Sequence, residues 1–347
     1  MKSHPGRFFE DFRLGETIVH APPRTMTPAD RALNIAFTGA RHALFCADPF
    51  AQACGLEAAP FDPLLVFHII FGRSVADISL NAVANLGYAE GRFHELVYPG
   101  DTLSASSEVI GLKQNANGKT GIVWVRTRGE NQHGRHVLEY VRWVMVNKRD
   151  PNSPAPADQT PKLAPALGPS DLRFDDRMHL NRYNWPLAGS PHAFEDYEIG
   201  EKIDHVDGMT VEESEHQLAT RLYQNTAKVH FDALAQKGSR FGKRLIYGGV
   251  AISLARALSF NGLSNAAIML AINAGRHVNP LFAGDTLYAW SEVLDKSDLG
   301  NLGALRLRLV ALKNRNGADF PLKTASNADD PAVLLDFDYW AAIPKRT

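Results

Sequence analysis

Phe9 to His20 reads FEDFRLGETIVH, and Phe194 to His205 reads FEDYEIGEKIDH, so one pattern appears near the start of a 347-residue chain and again past its middle. The likeness continues beyond these two stretches. Gly100–Leu103 (GDTL) returns as Gly284–Leu287, Glu108 as Glu292, and Gly91-Arg92 as Gly275-Arg276, all at the same spacing. Between them, CADPFAQ from Cys46 is answered by HFDALAQ from His230, again at that spacing. Matched segments in one order at a nearly constant offset mark a tandem duplication. The chain is one module used twice.

The copies run from about 7 to 149 and from 193 to 345, and residues 150–192 join them. The first part of the joint, DPNSPAPADQTPKLAPALGPS from 150 to 170, holds six prolines. Proline fixes its own backbone angle and restricts its neighbour, so this stretch reads as a semi-rigid linker. Residues 171–192 are expected to wrap across one copy.

Each copy has the same coarse grammar: an acidic turn, a polar helix-like segment, a long helix, then several strands. In the second copy Leu218, Leu222, Val229 and Leu234 give an intermittent helical stripe. Val250, Leu254, Ala257 and Leu258 follow at i, i+4, i+7 and i+8, a helix opened by Gly248-Gly249. Strands are expected in LYAWSEVL, LRLRLVALK (before Asn-Arg-Asn-Gly) and VLLDFDYWAAI, with LSASSEVIGLK, TGIVWVRTRG and VLEYVRWVMV as their counterparts. The fold class is α+β, each half a long helix wrapped by an antiparallel sheet. No GxGxxG fingerprint or Walker loop is present.

Composition narrows the function. Lys plus Arg is 37 against Asp plus Glu 38, a formal net charge of -1, which argues against nucleic acid as the main partner. The longest apolar run, Leu64 to Phe71, is broken by His68 and falls far short of the roughly 20 residues of a membrane span. The start, MKSHPGRFFED, has no apolar signal region, and two cysteines, Cys46 and Cys54, fit a reducing compartment. A cytoplasmic protein without membrane attachment is expected.

A helix wrapped by an antiparallel sheet, with a PGDTL strand start and a tandem partner, resembles the hot-dog fold of the MaoC-like hydratases. The segments APFDPLLVFHIIFG, DISLNAVANLGYAEGRF, VYPGDTLSASSEVIGLK, YVRWVMVNKRD, RLYQNTAKVHFDALAQ and RALSFNGLSNA narrow the resemblance to the mesaconyl-CoA (2-methylfumaryl-CoA) hydratases within that group. The resemblance implies a tandem, double hot-dog fold and reversible addition of water to 2-methylfumaryl-CoA, giving β-methylmalyl-CoA. It implies no metal and no redox cofactor, an acyl-CoA thioester as the partner, and self-association. The fold alone leaves three other readings open: hydration of another enoyl-CoA, an acyl-CoA thioesterase, and a non-catalytic acyl-CoA binding module.

Conjugate addition to an enoyl thioester needs a base for water and donors for the developing enolate oxygen. Histidine suits the first, and backbone N–H groups at a helix start suit the second. The family's active loop reads Gly-Asp-x-Asn-Pro-hydrophobic-His. Here it is Gln224-Asn225-Thr226-Ala227-Lys228-Val229-His230, so His230 matches and Asn225 stands where the acid is expected. On one unbroken helix, residues five apart point about 140° apart. The two converge only if the chain before the helix is extended, which a cap at Asn225-Thr226 would allow. Asn225 is therefore either a water-orienting group or a plain helix cap, and Asp232, Glu215 and Glu213 are possible helpers. Gly248 and Gly249 are the oxyanion-hole candidates, with a tight turn at positive φ as the plain reading. Lys228, Arg240, Lys243, Arg244, Arg41 and Arg276 are candidates for contacts to CoA phosphates or a substrate carboxylate. At the equivalent positions in the first copy stand Arg41 and Cys46, so one working site per chain is expected, in the second copy. The first copy would shape the acyl-CoA tunnel.

Overall fold

The computed structural model describes residues 2–175, 177–180 and 182–346. The strands are β1 (Thr17–Thr25), β2 (Ala82–Phe93), β3 (Thr102–Gln114), β4 (Thr120–Glu130) and β5 (His136–Asn147) in the first copy. In the second they are β6 (Lys202–Thr210), β7 (Ile268–His277), β8 (Thr286–Asp298), β9 (Leu302–Lys313) and β10 (Val333–Pro344). They form one ten-stranded sheet in the order β1-β3-β4-β5-β2-β7-β10-β9-β8-β6. The order is the same read from either end, as a twofold repeat of one module requires. The seam is antiparallel pairing of β2 with β7, where Tyr88 faces Gly275 and Arg92 faces Ala271. This is a double hot-dog.

Atomic detail repeats with the topology. His20 meets the Ser107 hydroxyl at 2.8 Å, and His205 meets that of Ser291 at 2.8 Å. Thr25 bonds Thr102 across β1 and β3, as Thr210 bonds Thr286 across β6 and β8, both at 2.8 Å. Each copy winds its sheet around one central helix. The first, Pro63–Ser74, is buried along its whole length, and the second, Gly248–Leu258, is buried from Gly249 onward. Such helices are largely apolar all round because the sheet covers one face and residues of the other copy, Tyr223 and Tyr247 for the first helix, pack on the rest. At their crossing, His68 Nε2 lies 2.8 Å from the hydroxyl of Ser253, its counterpart in the second copy.

The proline-rich joint is packed down rather than free. Gln159 pairs with Leu112 of β3, the Leu167 carbonyl accepts from Trp340 Nε1 at 3.0 Å, and His179 N–H donates to the Cys54 carbonyl. Leu167, Leu172 and Met178 are buried, so the segment clasps both halves. After β9, residues 314–332, beginning with Asn-Arg-Asn-Gly, form a long loop with its own Lys323–Asp329 bridge. The leucine stripe over 218–234 is not one helix. It breaks into Glu213–Leu222, Lys228–Phe231 and Ala233–Gln236, and Leu234 is 76 % exposed.

Candidate active site

The break in that stripe creates the site. After Leu222 the chain turns through Tyr223, and Gln224 takes a positive φ of 52°. Asn225 is then buried, and its Oδ1 accepts the Ala227 N–H at 3.0 Å. That is an Asx turn rather than a helix cap: the N-cap of Lys228–Phe231 is Ala227, which has no side-chain cap, so the plain cap reading of Asn225 does not hold. Asn225 and Thr226 also line a cavity of about 880 Å³ between the copies, together with Gly72, Arg73, Gln217 and Arg244.

His230 sits on the short helix with its ring turned inward. Its Nδ1 lies 2.9 Å from the Leu245 carbonyl and can only donate to it. The proton is thereby held on Nδ1, and Nε2 keeps its lone pair. Burial pushes the His230 pKa down to about 4, with the carbonyl bond pulling the other way. Around it stand three imidazoles that the sequence reading did not single out. His216 packs edge-on at 6.1 Å, and its Nε2 accepts the Tyr247 N–H at 2.9 Å. His277 reaches the Tyr88 hydroxyl at 3.4 Å. His68 crosses from the first copy's helix to stack on Tyr223 at 4.6 Å. Burial lowers His216 to about 3, His277 to about 4 and His68 to about 3, and neighbouring imidazoles add to each shift. All four rings are neutral at pH 7.

Gly248 and Gly249 begin the second central helix against this cluster. A Cβ on Gly248 would come within 2.4 Å of His277 Cε1, and one on Gly249 within 2.6 Å of His68 Cε1 and 2.3 Å of Tyr247 Cε1. Neither glycine has positive φ, so the turn reading fails and close approach is the reason for both. The first N–H groups of a helix lack an intrahelical acceptor. Tyr247 supplies no side-chain cap, and among the described residues no acceptor meets the N–H of Gly248 or Gly249. They are two aligned donors at the positive end of a helix.

The remaining candidates scatter. Arg244 lines the cavity, donates to Gln217 and pairs with Glu213. Arg276 is held by Asp329 and Asp336, while Arg41 lies over Phe260, Arg240 over Phe241 and Lys243 over Phe282. Lys228 is exposed. The proposed acidic helpers are engaged elsewhere: Asp232 caps Ala235, Glu215 accepts from Glu212 N–H, and Glu213 holds Arg244. In the first copy Cys46 is exposed and its thiol points to the Ala40 carbonyl. No group of three or more His, Cys, Asp or Glu among the described residues is arranged to hold a metal ion.

The ten-stranded sheet, with a central helix in each copy, defines a MaoC-like double hot-dog protein. The structure superposes on a MaoC domain protein dehydratase from Chloroflexus aurantiacus J-10-fl with a TM-score of 0.98, at 58 % identity over 100 % of both chains. A Mycobacterium tuberculosis protein with a double hot-dog fold gives 0.75 at 26 % identity, covering 97 % of this chain and 98 % of that one. Residues 2–165 match the family model described as mesaconyl-CoA hydratase. Over 347 residues the chain is 60 % identical to the mesaconyl-CoA hydratase of Cereibacter sphaeroides, covering 99 % of this chain and all of that one. It is 59 % identical to the β-methylmalyl-CoA dehydratase of Chloroflexus aurantiacus over 348 residues, 99 % of each chain. The chain belongs to the mesaconyl-CoA hydratase family.

Proposed function

We propose that this hydro-lyase adds water reversibly across the double bond of mesaconyl-CoA (2-methylfumaryl-CoA) to give β-methylmalyl-CoA, with His230 as base. The observation that carries the assignment of His230 is its tether to Leu245, which leaves Nε2 unprotonated in a ring packed on Tyr247, the residue just before Gly248 and Gly249. The thioester oxygen lies on those N–H groups, which stabilise it as it becomes an enolate oxygen. Nε2 takes a proton from water as the water oxygen bonds to the β-carbon. An imidazolium in so dry a site is costly, so its proton returns readily to the α-carbon, and the enolate collapses to the thioester. Water is consumed, and His230 ends as it began.

Asn225 has Oδ1 committed to Ala227 and keeps its NH₂ to donate to the attacking water, so it orients but does not exchange protons. The chemistry uses only side chains, backbone N–H groups and water, without metal or redox cofactor. His68 and the cavity wall from Ala21 to Ala76 come from the first copy, which supports a shaping role for it. Among the described residues no helix is long and apolar enough to cross a membrane. The unlinked Cys46 and Cys54 suit the cytoplasm, and we place the protein there as a self-associating enzyme with no nucleic-acid partner.

The test is mesaconyl-CoA followed by both enoyl absorbance and free thiol. Loss of absorbance with no thiol released is expected. Thiol released in step with substrate loss would make the protein a thioesterase, and neither signal would leave a binding module.

A further inference from the structure

Hydration at the β-carbon of this substrate takes place next to a free carboxylate, because that carbon carries the far end of the diacid. An anion brought into a dry site needs a cation there, and the structure holds one with no carboxylate partner among the described residues. Arg73, at the end of the first central helix, is 4 % exposed and lines the 880 Å³ cavity that Asn225 and Thr226 also line. Its Nη1 donates to the Pro22 carbonyl at 2.8 Å. Its Nε and Nη2 are buried and bond nothing among the described residues, and no carboxylate of those residues lies within ion-pair distance of it. Burial and the neighbouring Arg24 push its pKa down, and Arg24 itself is spent on Asp30 and the Leu222 carbonyl.

The unused atoms matter. Nε and Nη2 share one edge of the guanidinium, the edge that accepts a carboxylate through two parallel hydrogen bonds. A desolvated, unpaired charge is costly to keep. Arg142 offers a contrast. It is also fully buried without an acid partner, but it donates to the hydroxyls of Ser74 and Ser79, which leaves only Nε unbonded, stacks on Phe71, and does not line this cavity. In the second copy Arg256, on the central helix, likewise donates to a serine, Ser259, the counterpart of Ser74. At the positions matching Arg73 the second copy has Ala257 and Leu258. Arg73 is a feature of the first copy's wall of this cavity.

We propose that Arg73 receives the free carboxylate of the substrate and so selects diacid thioesters over monoacid ones. The proposal rests on the hydratase reading above and assigns its substrate class to one residue. Gly72 beside it packs so closely under Tyr223 that a Cβ there would come within 1.8 Å of the Tyr223 carbonyl, which fixes the helix end against the loop bearing Asn225. The carboxylate is then anchored on the same wall as the water.

Binding isolates the effect from turnover. Succinyl-CoA and butyryl-CoA have equal chain length and differ in the terminal carboxylate, and both are unreactive to hydration. The unaltered enzyme should bind succinyl-CoA at least about 30-fold more tightly. In Arg73→Gln that preference should fall to within about 3-fold, with butyryl-CoA binding unchanged, and Arg73→Lys should restore part of it as a point charge without the fork. Equal weakening of both ligands would mean that Arg73 holds the fold or the CoA phosphates, and would overturn the assignment. An unchanged preference, or none in the unaltered enzyme, would do the same. If Arg73→Gln does not fold, Arg73→Lys decides, since a fork lost and a charge kept should still lower the ratio. Failure of the hydratase reading shows separately, in the unaltered enzyme with mesaconyl-CoA.

Discussion

The two central helices begin at equivalent places and differ in what they do with their first N–H groups. In the first copy Asp62 caps the helix, its Oδ1 accepting the Leu64 N–H at 2.8 Å, and Pro63 has no N–H to offer. In the second copy Gly248 and Gly249 stand in the places of Pro63 and Leu64, Tyr247 contributes no side-chain cap, and the donors stay open. The first helix start has filled its own anion site, whereas the second leaves its donors without an acceptor among the described residues. The facing loops differ in the same sense: His230 is tethered with its lone pair free, while its counterpart Cys46 is exposed. The comparison shows one module ending in two different ways. One helix start is closed by its own residues, and the other is open and backed by imidazoles from both copies.

The largest expected effect tests which copy works. His230→Ala should lower kcat by roughly 10²- to 10⁴-fold with the fold intact, as removal of a general base does. Cys46→Ala at the equivalent position should leave turnover as it was. Steady-state rates on mesaconyl-CoA, with circular dichroism as the folding control, would break the comparison if the two variants behaved alike.

The open helix start comes next. In Gly249→Ala the new methyl must displace Tyr247 or His68, whose ring atoms lie 2.3 and 2.6 Å from where it would sit. The donor geometry shifts with them, and a loss of about 10²-fold in kcat is expected from disturbing one oxyanion donor. Leu64→Ala in the first copy should cost about 2–5 kcal/mol of stability through a cavity, with little change in kcat. If Gly249→Ala lowered stability alone, the helix start would be a packing device in both copies.

Much of this was legible in the sequence because duplication and local chemistry leave marks along the chain. The constant offset between the copies, the glycine pair and the histidine after the loop are all local or periodic. The leucine stripe misled because 3.6-residue spacing does not register a break at one positive-φ residue, Gln224, and Leu218 and Leu234 proved exposed. His68, His216, His277 and Arg73 were missed for another reason. His68 and Arg73 cross from the first copy and His277 comes from β7, while His216 sits on the helix just before the loop, where only folding shows that it faces inward to Tyr247. The apolar run from Leu64 to Phe71 did hold one signal, since an imidazole inside it needs a polar partner.

Acid tests the comparison by a smaller route. Burial holds His68, His205 and His216 at about 3 to 4 in the folded chain, against about 6.5 when unfolded. Between those values the unfolded state binds more protons, so stability is fully present above pH 6.5 and declines as pH falls toward 4. The slope is about 1 kcal/mol per pH unit for each histidine. A melting temperature that drops steadily from pH 7 to pH 5 is expected. Three of the depressed imidazoles, His216, His230 and His277, belong to the second copy and surround Gly248 and Gly249, with His68 reaching in from the first. Hydrogen exchange at pH 5 should therefore speed up first in residues 213–231 and 247–250, before the matching segments of the first copy. The first copy has depressed histidines of its own, His42 and His94, but its helix start is closed by Asp62 and Pro63. Simultaneous loss of protection in both copies would mean that the imidazole cluster stabilises the seam as a whole, and the open helix start would then carry no stability cost of its own.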